Sequence, residues 1–271
     1  MVQSELARIV IGGELSVKEH TSPERKRRIR ISKISAMHYF KLVFRSLILL
    51  AAVIDYIFAR LGGENMGRMA QRSPVKGFIW IVFAIEMALR FFPSKLESMG
   101  CQKVFAHNYI PRNNPGKRPN DARSTLLVAL AWILLNGVIG IVYKIGWIDK
   151  GILVLISLVY SVCDMICILF FCPFQEWFMK NKCCGTCRIY NWDFAMMFTP
   201  LIFVGGFWSW SLVALSLGLL VKWEIRYRMH PEWFYEEYNQ SLACAHCQEK
   251  LCRHKKSLQS FLRKMGRRFG S

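Results

Sequence analysis

Cysteines occur in spaced groups along the chain, and their spacing suggests metal or redox chemistry. Ten cysteines occur among 271 residues, and two C-x-x-C pairs stand out. In such a pair both sulfurs can bind one ion, while backbone N–H groups of the turn stabilise their negative charge. One cysteine and one histidine shortly after the second pair add two further ligands. The predicted metal site consists of Cys184, Cys187, Cys244, Cys247, Cys252 and His254.

The identity of the bound ion stays open at this point. Four thiolates in a tetrahedron at about 2.3 Å suit Zn²⁺, whereas the same sulfurs, with further cysteines nearby, can hold an iron–sulfur cluster. Zinc would join the tail to an earlier loop and contribute folding energy, whereas a cluster would carry electrons. A third interpretation is disulfide bonding or free thiols. An oxidising compartment would permit disulfides, and a cytoplasmic location argues against them.

Three further cysteines, Cys163, Cys167 and Cys172, lie in or beside one long apolar run. Cys163 and Cys167 share a helical face with Phe170, because the three follow the spacing i, i+4, i+7. A buried cysteine commonly packs as a small apolar residue. We therefore interpret Cys163 and Cys167 as packing residues rather than as ligands.

Asp164 lies within the same apolar run, with apolar neighbours on both sides. A carboxylate inside a bilayer costs at least about 2.5–3.5 kcal/mol, so it needs a partner, a cavity or a bound proton. The functional interpretation makes Asp164 a catalytic residue on a proton or cation path, or in a pocket for a substrate or a quinone headgroup. The alternative is a structural contact with Asn136.

Ionisable residues also occur in two earlier apolar runs. Glu86 and Arg90 are four residues apart on one helical face, which predicts a pair between them. Arg45 lies near one end of its run and is predicted to extend its charged group to the cytoplasmic surface.

The composition identifies the class of protein that must position these residues. Hydrophobic residues make up 53% of the chain, the mean hydropathy is +0.23 and the formal net charge is +19. A soluble domain this basic would not normally carry so much apolar side chain, and here the apolar residues form long runs with the charges between them. The sequence predicts an integral membrane protein and excludes a disordered chain, a fibrous repeat and a small disulfide-rich secreted domain.

Five apolar segments approach the roughly 20 residues that a helix needs to cross a bilayer core. The last of them, Phe194–Val221, contains Pro200 and the pair Gly205–Gly206, which predict a broken or re-entrant segment. The second is short, and an interfacial helix is its alternative. The predicted fold is an all-α integral membrane protein with this broken segment, a cytoplasmic Cys-rich tail and four transmembrane helices, Phe40–Leu61, Gly77–Phe92, Leu126–Tyr143 and Ile152–Phe171.

The chain divides into a basic cytoplasmic tail (1–39), a membrane domain (40–222) and a basic Cys-containing tail (223–271). No signal peptide is expected, because the opening residues carry a basic cluster instead of an apolar core. The positive-inside rule predicts a multi-pass membrane protein with its N-terminus in the cytoplasm. A re-entrant fifth segment would return the C-terminal tail to the cytoplasm and bring both C-x-x-C pairs to one face. A full crossing is the alternative.

The expected partners follow from the distribution of charge. Ser257–Phe269 carries apolar residues at helical spacing with Lys and Arg on the other face, which is typical of an amphipathic helix on an anionic leaflet. Packing of this helix on the rest of the tail is the alternative. The positive charge follows the membrane flanks without a nucleic-acid motif, so we expect lipid headgroups rather than nucleic acid as the partner.

Three functions fit these features. The first is electron or proton transfer beside the bilayer, with a Cys-ligated metal or thiol centre and a soluble redox partner or a membrane complex. The second is a membrane accessory or scaffold protein with a structural Zn site. The third is a small transporter that uses Asp164 and the broken segment. No serine–histidine–aspartate set, H-E-x-x-H motif or kinase signature supports hydrolysis or phosphoryl transfer.

Overall fold

The computed structural model describes residues 32–62 and 74–247, except residues 96, 115, 118, 119 and 182. Within these residues the regular elements are helices, and Pro111 and Asn239 form an isolated antiparallel bridge. The α-helices are α1 (Lys33–Leu61), α2 (Pro74–Arg90), α3 (Met99–Gln102), α4 (Ala122–Ile145), α5 (Lys150–Leu169), α6 (Asp193–Phe198) and α7 (Phe207–Met229). Short 3₁₀ or π turns cover Ala106–Asn108, Phe174–Met179, Tyr190–Trp192, Thr199–Phe203, Pro231–Phe234 and Gln240–Leu242.

Three helices are long and apolar enough to cross a membrane. They are α1, α4 and α5, with 29, 24 and 20 residues. The predicted span Gly77–Phe92 corresponds to α2, which has 17 residues and a length of about 25 Å, less than the roughly 30 Å of a bilayer core. The chain is therefore an all-helical, membrane-associated protein over the described residues, with three candidate spans.

Local signals in the sequence set the ends of these helices. The Ser32 hydroxyl accepts a hydrogen bond from the Ser35 N–H at the start of α1, and the Asp149 carboxylate accepts one from the Ile152 N–H at the start of α5. Such caps satisfy backbone donors that have no partner within the helix. Four residues join α4 to α5, and Trp132 of α4 contacts Tyr160 of α5 with ring centroids 4.8 Å apart, so the two form the antiparallel hairpin that the short connection predicts.

The most extensive helix–helix packing is between α1 and α5, and α2 packs on α7. Between them lies an apolar core that includes Phe83, Met87, Phe194 and Phe198. Many large apolar side chains of α1 and α4 point outward instead, among them Leu47 and Leu134 at 59% and 71% exposure. An outward apolar surface on long helices is the arrangement that lipid tails stabilise.

The fifth apolar segment reverses direction at the glycine pair. Gly205 and Gly206 have φ angles of +77° and +87°, which glycine adopts without the steric cost that other residues incur. The two arms then lie side by side, because the Trp192 Nε1–H donates a hydrogen bond of 2.8 Å to Glu224 near the end of α7. The Trp223 Nε1–H likewise donates to the carbonyl of Arg188 at 2.9 Å. The predicted break at these glycines is present, and the chain just after this segment contacts the chain just before it.

The described residues of three stretches pack together beyond the apolar helices, and we call them the cap (98–114, 116–117, 120–121, 183–192 and 230–243). The Gln240 N–H donates to the Ile110 carbonyl at 2.8 Å, and the Ser98 hydroxyl donates to the Tyr190 hydroxyl at 2.9 Å. An aromatic cluster around Trp223, Trp233 and Phe234 holds the cap on α7. The predicted amphipathic helix Ser257–Phe269 lies outside the described residues.

Candidate functional site

A cavity of about 130 Å³ lies where α4, α5 and α6 meet the chain that links α5 to α6. Its wall carries sulfur from three parts of the chain, together with the carboxylates Asp164 and Asp193. Aromatic and methionine side chains supply most of the remaining surface. The five cysteines that line it are Cys163, Cys167, Cys172, Cys184 and Cys187.

Three of these cysteines form a connected group around one amide. The Cys184 thiol donates a hydrogen bond of 2.7 Å to Gln175 Oε1, and the Gln175 N–H donates to Cys172 Sγ at 3.4 Å. The side chains of Cys167 and Cys172 are hydrogen-bonded to each other, and Cys184 Sγ lies 3.9 Å from the Cys167 carbonyl. All three are thiols in the structure. We call Cys167, Cys172 and Cys184 the thiol cluster.

The chain forms this cluster because α5 ends just before it. Leu169 is the last residue of the helix, and the following residues turn back through the π-type turn Phe174–Met179. This reversal brings the C-x-x-C loop to the end of α5, so that Cys184 reaches the two cysteines at the helix terminus.

The cap holds the C-x-x-C loop in place. Gly100 of α3 lies directly against it, since a Cβ at Gly100 would come within 3.0 Å of the Gly185 Cα. Next to it, the ammonium group of Lys103 donates to the carbonyls of Gly185 and Cys187 at 3.2 and 2.9 Å. Burial lowers the pKa of Lys103 to about 7, and burial raises the pKa of the Cys187 thiol. Cys187 is therefore held protonated, while the loop carrying Cys184 is fixed by a lysine that titrates near neutrality.

Asp164 has an ionic partner that sequence spacing did not predict. Arg45 of α1 donates to Asp164 at 3.0 Å, to Glu86 at 2.7 Å and to the Ser161 carbonyl at 3.0 Å. Arg45 is 2% exposed, so the prediction that it extends to the cytoplasmic surface is wrong. The predicted contact of Asp164 with Asn136 is also wrong, because the Asn136 amide donates to the Trp132 carbonyl in its own helix.

The predicted pair between Glu86 and Arg90 is likewise replaced. Arg90 binds Asp193 of α6 at 2.6 Å and approaches Glu97 at 4.0 Å. Both oxygens of the Asp193 carboxylate accept hydrogen bonds from Arg90 Nη1, at 2.7 and 2.6 Å, and Asn191 Oδ1 accepts another at 2.7 Å. These charge-assisted hydrogen bonds from facing elements replace the predicted contact along the helix.

These pairs form one continuous network beside the cavity. Lys41 joins Glu86 and Glu97 at 3.6 and 3.5 Å, so cations and carboxylates alternate from α1 through α2 to the cap. The alternation stops at the cavity, where Asp164 and Asp193 both line the wall. Four carboxylates and three cations take part: Glu86, Glu97, Asp164, Asp193, Lys41, Arg45 and Arg90.

The structure describes four of the six predicted metal ligands. Cys184 and Cys187 line the cavity, whereas Cys244 and Cys247 follow the last turn of the cap, where Cys244 is exposed. Cys252 and His254 lie outside the described residues. Over the part of the chain that is described, no group of three or more His, Cys, Asp or Glu side chains is arranged to hold a metal ion. Ligation by the six predicted residues stays a prediction.

Sequence reasoning missed the partners of the C-x-x-C pair. Cys163 and Cys167 were assigned to packing, yet both line the cavity, and Cys163 is exposed. The sequence did contain a signal that these cysteines belong to the site, because Asp164 lies close to both of them in one apolar run. Nothing in the sequence pointed to Gln175 or Asp193.

Comparisons with protein-family models, with curated proteins and with solved structures found no match to this chain.

Proposed function

We propose that this is a multi-pass membrane protein that carries out thiol–disulfide redox chemistry at the thiol cluster. One observation carries the proposal, namely that cysteines from α5, from the residues just after it and from the C-x-x-C loop of the cap line a single cavity at the end of a candidate span. Buried cysteines that serve only packing have no reason to gather from separate chain segments around open space. Sulfurs grouped in this way can exchange protons and electrons with each other.

The chemistry is the interconversion of two thiols and one disulfide. Cys167 and Cys172 are the pair to be oxidised, because their side chains already contact each other and Cys172 lies beyond the helix end, where the backbone can adjust to a sulfur–sulfur bond of about 2.05 Å. Cys184 lies in the cap loop and exchanges with the pair through a mixed disulfide. Cys187, buried at 5% exposure, stays a thiol and supports the loop.

The proposed orientation puts the cap in the cytoplasm. Lys41, near the start of α1, contacts Glu97 beside the cap, whereas Arg60, near the end of α1, binds Asp149 in the α4–α5 turn at 2.6 Å. The start of α1 therefore lies on the cap side of the molecule. Because the basic cluster of the sequence directly precedes α1, the positive-inside rule assigns that side to the cytoplasm. In this orientation the thiol cluster is available to a soluble dithiol partner.

Differential alkylation of the purified full-length protein tests the proposal. The protein is oxidised with diamide, remaining thiols are blocked, and disulfides are then reduced and mapped by mass spectrometry. We expect disulfides within the thiol cluster, and their loss in Cys172→Ser. The matched control Cys244→Ser changes an exposed cysteine outside the cavity and should leave the pattern intact. If Cys167, Cys172 and Cys184 all remain thiols after diamide treatment, the proposal is wrong.

A Cys-ligated Zn²⁺ or iron–sulfur centre is the second candidate. Its support is that Cys184 and Cys187 line the same cavity as Cys167 and Cys172, and thiols bind both metals. In the described residues these side chains are not arranged around one ion, so metal binding would require them to move. Measuring bound Zn and Fe in the purified full-length protein tests it. A stoichiometric metal that is lost in Cys184→Ser would favour this candidate, and the absence of both metals would remove it.

A further inference from the structure

The cavity has the size and lining of a site for a single aromatic ring. Cavities of about 150 Å³ with apolar walls take up a benzene ring, and this one measures about 130 Å³. Trp132 and Tyr160 form an aromatic wall with ring centroids 4.8 Å apart, while Met196 and Met197 face the same space. Flat rings pack well against such side chains.

Polar groups at the wall limit what this ring can be. Asp164 and Asp193 border the cavity beside the thiol cluster, and Gln175 contributes an amide. Binding sites of this kind use a mostly apolar surface for affinity and a few polar groups for orientation. The ligand should therefore be a flat ring with oxygen functions, and should not be a plain hydrocarbon.

The cavity also reaches the surface that faces lipid. Cys163 lines the cavity and is at the same time exposed on α5, which is a candidate span. Ile166, three residues further along, is 40% exposed on the same helix. A ligand dissolved in the bilayer can therefore enter beside Cys163 without passing through water.

We propose that the cavity binds the ring of a lipid-soluble benzoquinone, which accepts two electrons from the thiol cluster. This inference rests on the proposed function, because it needs Cys167 and Cys172 as electron donors. Two S–H bonds break, one S–S bond forms, and two electrons with two protons convert the quinone carbonyls into the hydroxyls of a hydroquinone. Reduction of the disulfide by a soluble dithiol restores the starting state.

The network beside the cavity supplies a route for the protons. Arg45 binds one oxygen of Asp164, and Arg90 binds Asp193, so both carboxylates are held at the wall by cations behind them. Other titratable groups at the wall are Tyr160, Tyr190 and the cavity thiols, while Glu86 joins Arg45 from α2. A carboxylate fixed between a thiol and a quinone oxygen can accept a proton from the first and donate it to the second.

The test uses the reduced full-length protein in phosphatidylcholine vesicles with decyl-ubiquinone as the probe. Quinone reduction is followed by ultraviolet absorbance, and thiols are counted in the same sample. We expect one quinone reduced for every two thiols lost, with a disulfide in the thiol cluster. Diamide oxidation of the same preparation serves as the parallel arm. Disulfide formation with diamide but not with the quinone overturns the quinone site alone, whereas failure with both overturns the proposed function.

A substitution at the opening tests where the quinone binds. Cys163→Trp fills the entrance from the lipid side, and we expect the rate of quinone reduction to fall by about tenfold or more, because a bulky ring excludes the ligand. The matched control Ile166→Trp adds the same side chain on the same exposed helix but away from the cavity wall, and should keep the wild-type rate. Equal rates in the two variants would contradict binding in this cavity.

Discussion

Arg45 in α1 donates a hydrogen bond of 3.0 Å to Asp164 in α5, although 119 residues separate them along the chain. The same guanidinium binds Glu86 in α2 at 2.7 Å. One cation therefore neutralises carboxylates from two other helices. Removing one partner of a buried ionic pair typically costs about 3–5 kcal/mol, because the remaining charge loses its compensation.

Arg45→Met should therefore destabilise the protein strongly. The variant leaves Asp164 without its cation and Glu86 with only Lys41, and we expect a loss of about 3–5 kcal/mol in the free energy of unfolding. Thermal unfolding in detergent measures it. Lys33→Met, near the exposed start of α1, is the control and should change stability little. An Arg45→Met protein as stable as the control would show that the network is not a structural element.

Asp164→Asn separates the role of this residue in stability from its role in proton transfer. The amide can still accept a hydrogen bond from Arg45, and Arg45 keeps its contact with Glu86, so expression should stay close to that of the wild type. Quinone reduction should fall by about 100-fold or more if the carboxylate transfers protons, since general acid–base groups contribute on this scale. Wild-type rates in this variant would refute the catalytic assignment of Asp164.

Lys103 predicts a dependence of stability on pH. Burial lowers its pKa from 10.5 to about 7, so the unfolded chain binds more protons than the folded chain between about pH 7 and pH 10.5. Stability contributed by this group therefore rises with pH across that window and is lost as pH falls toward 7. The measurement compares the free energy of unfolding of the wild type and Lys103→Met at pH 7 and pH 9.

From pH 7 to pH 9, the free energy of unfolding of the wild type should rise relative to that of Lys103→Met. Lys117→Met is the matched control, because Lys117 is an exposed lysine of the same cap and the substitution removes the same charge. If the free energies of unfolding of the wild type and Lys103→Met differ by the same amount at both pH values, Lys103 does not titrate in this range.

Gly206 tests the reversal of the fifth apolar segment. Its backbone has φ of +87° and ψ of 162°, a region that is essentially restricted to glycine. Gly206→Ala should lower the free energy of unfolding by about 1–3 kcal/mol, because the methyl group strains the turn. Gly137→Ala is the control, since an added Cβ there meets nothing within 4 Å and α4 favours alanine. A Gly206→Ala protein that matches this control would contradict the observed turn.

The reversal also predicts which cysteines can be labelled in intact cells. Cys244 follows the returning arm, so a membrane-impermeant maleimide added outside should not label it. Trp147→Cys provides the control, because Trp147 lies in the α4–α5 turn at the opposite end of the helices and is 78% exposed. Labelling of Cys244 from outside, with Trp147→Cys unlabelled, would reverse the proposed orientation.

Several features of the fold could be predicted from the sequence because their signals are local. The α4–α5 hairpin follows from its short connection, and the break in the fifth segment follows from Gly205–Gly206, where no other residue adopts the required φ as readily. The helix Gly77–Phe92 was found as well, although its length of 17 residues in the structure, as α2, leaves it outside the candidate spans.

The candidate site could be predicted only in part, because its contacts join distant segments. Asp164 and Cys184 were identified by residue type, but their partners were sought at helical or C-x-x-C spacing. The observed partners depend on how α1 lies along α5 and on the turn at Phe174–Met179. Neither feature produces a regular spacing between residues that a single sequence would reveal. Arg45 and Cys167 were therefore assigned to a snorkelling contact and to packing, respectively.

The most direct test of the redox proposal is the oxidation state of the thiol cluster in growing cells. Cells are quenched in acid, thiols are alkylated at once, and the oxidised fraction of each cysteine is measured by mass spectrometry. We predict that Cys167, Cys172 and Cys184 are partly oxidised, that this fraction rises when the cells receive a thiol oxidant, and that the buried Cys101 stays reduced. Complete reduction of all three cluster cysteines under both conditions would contradict the proposal.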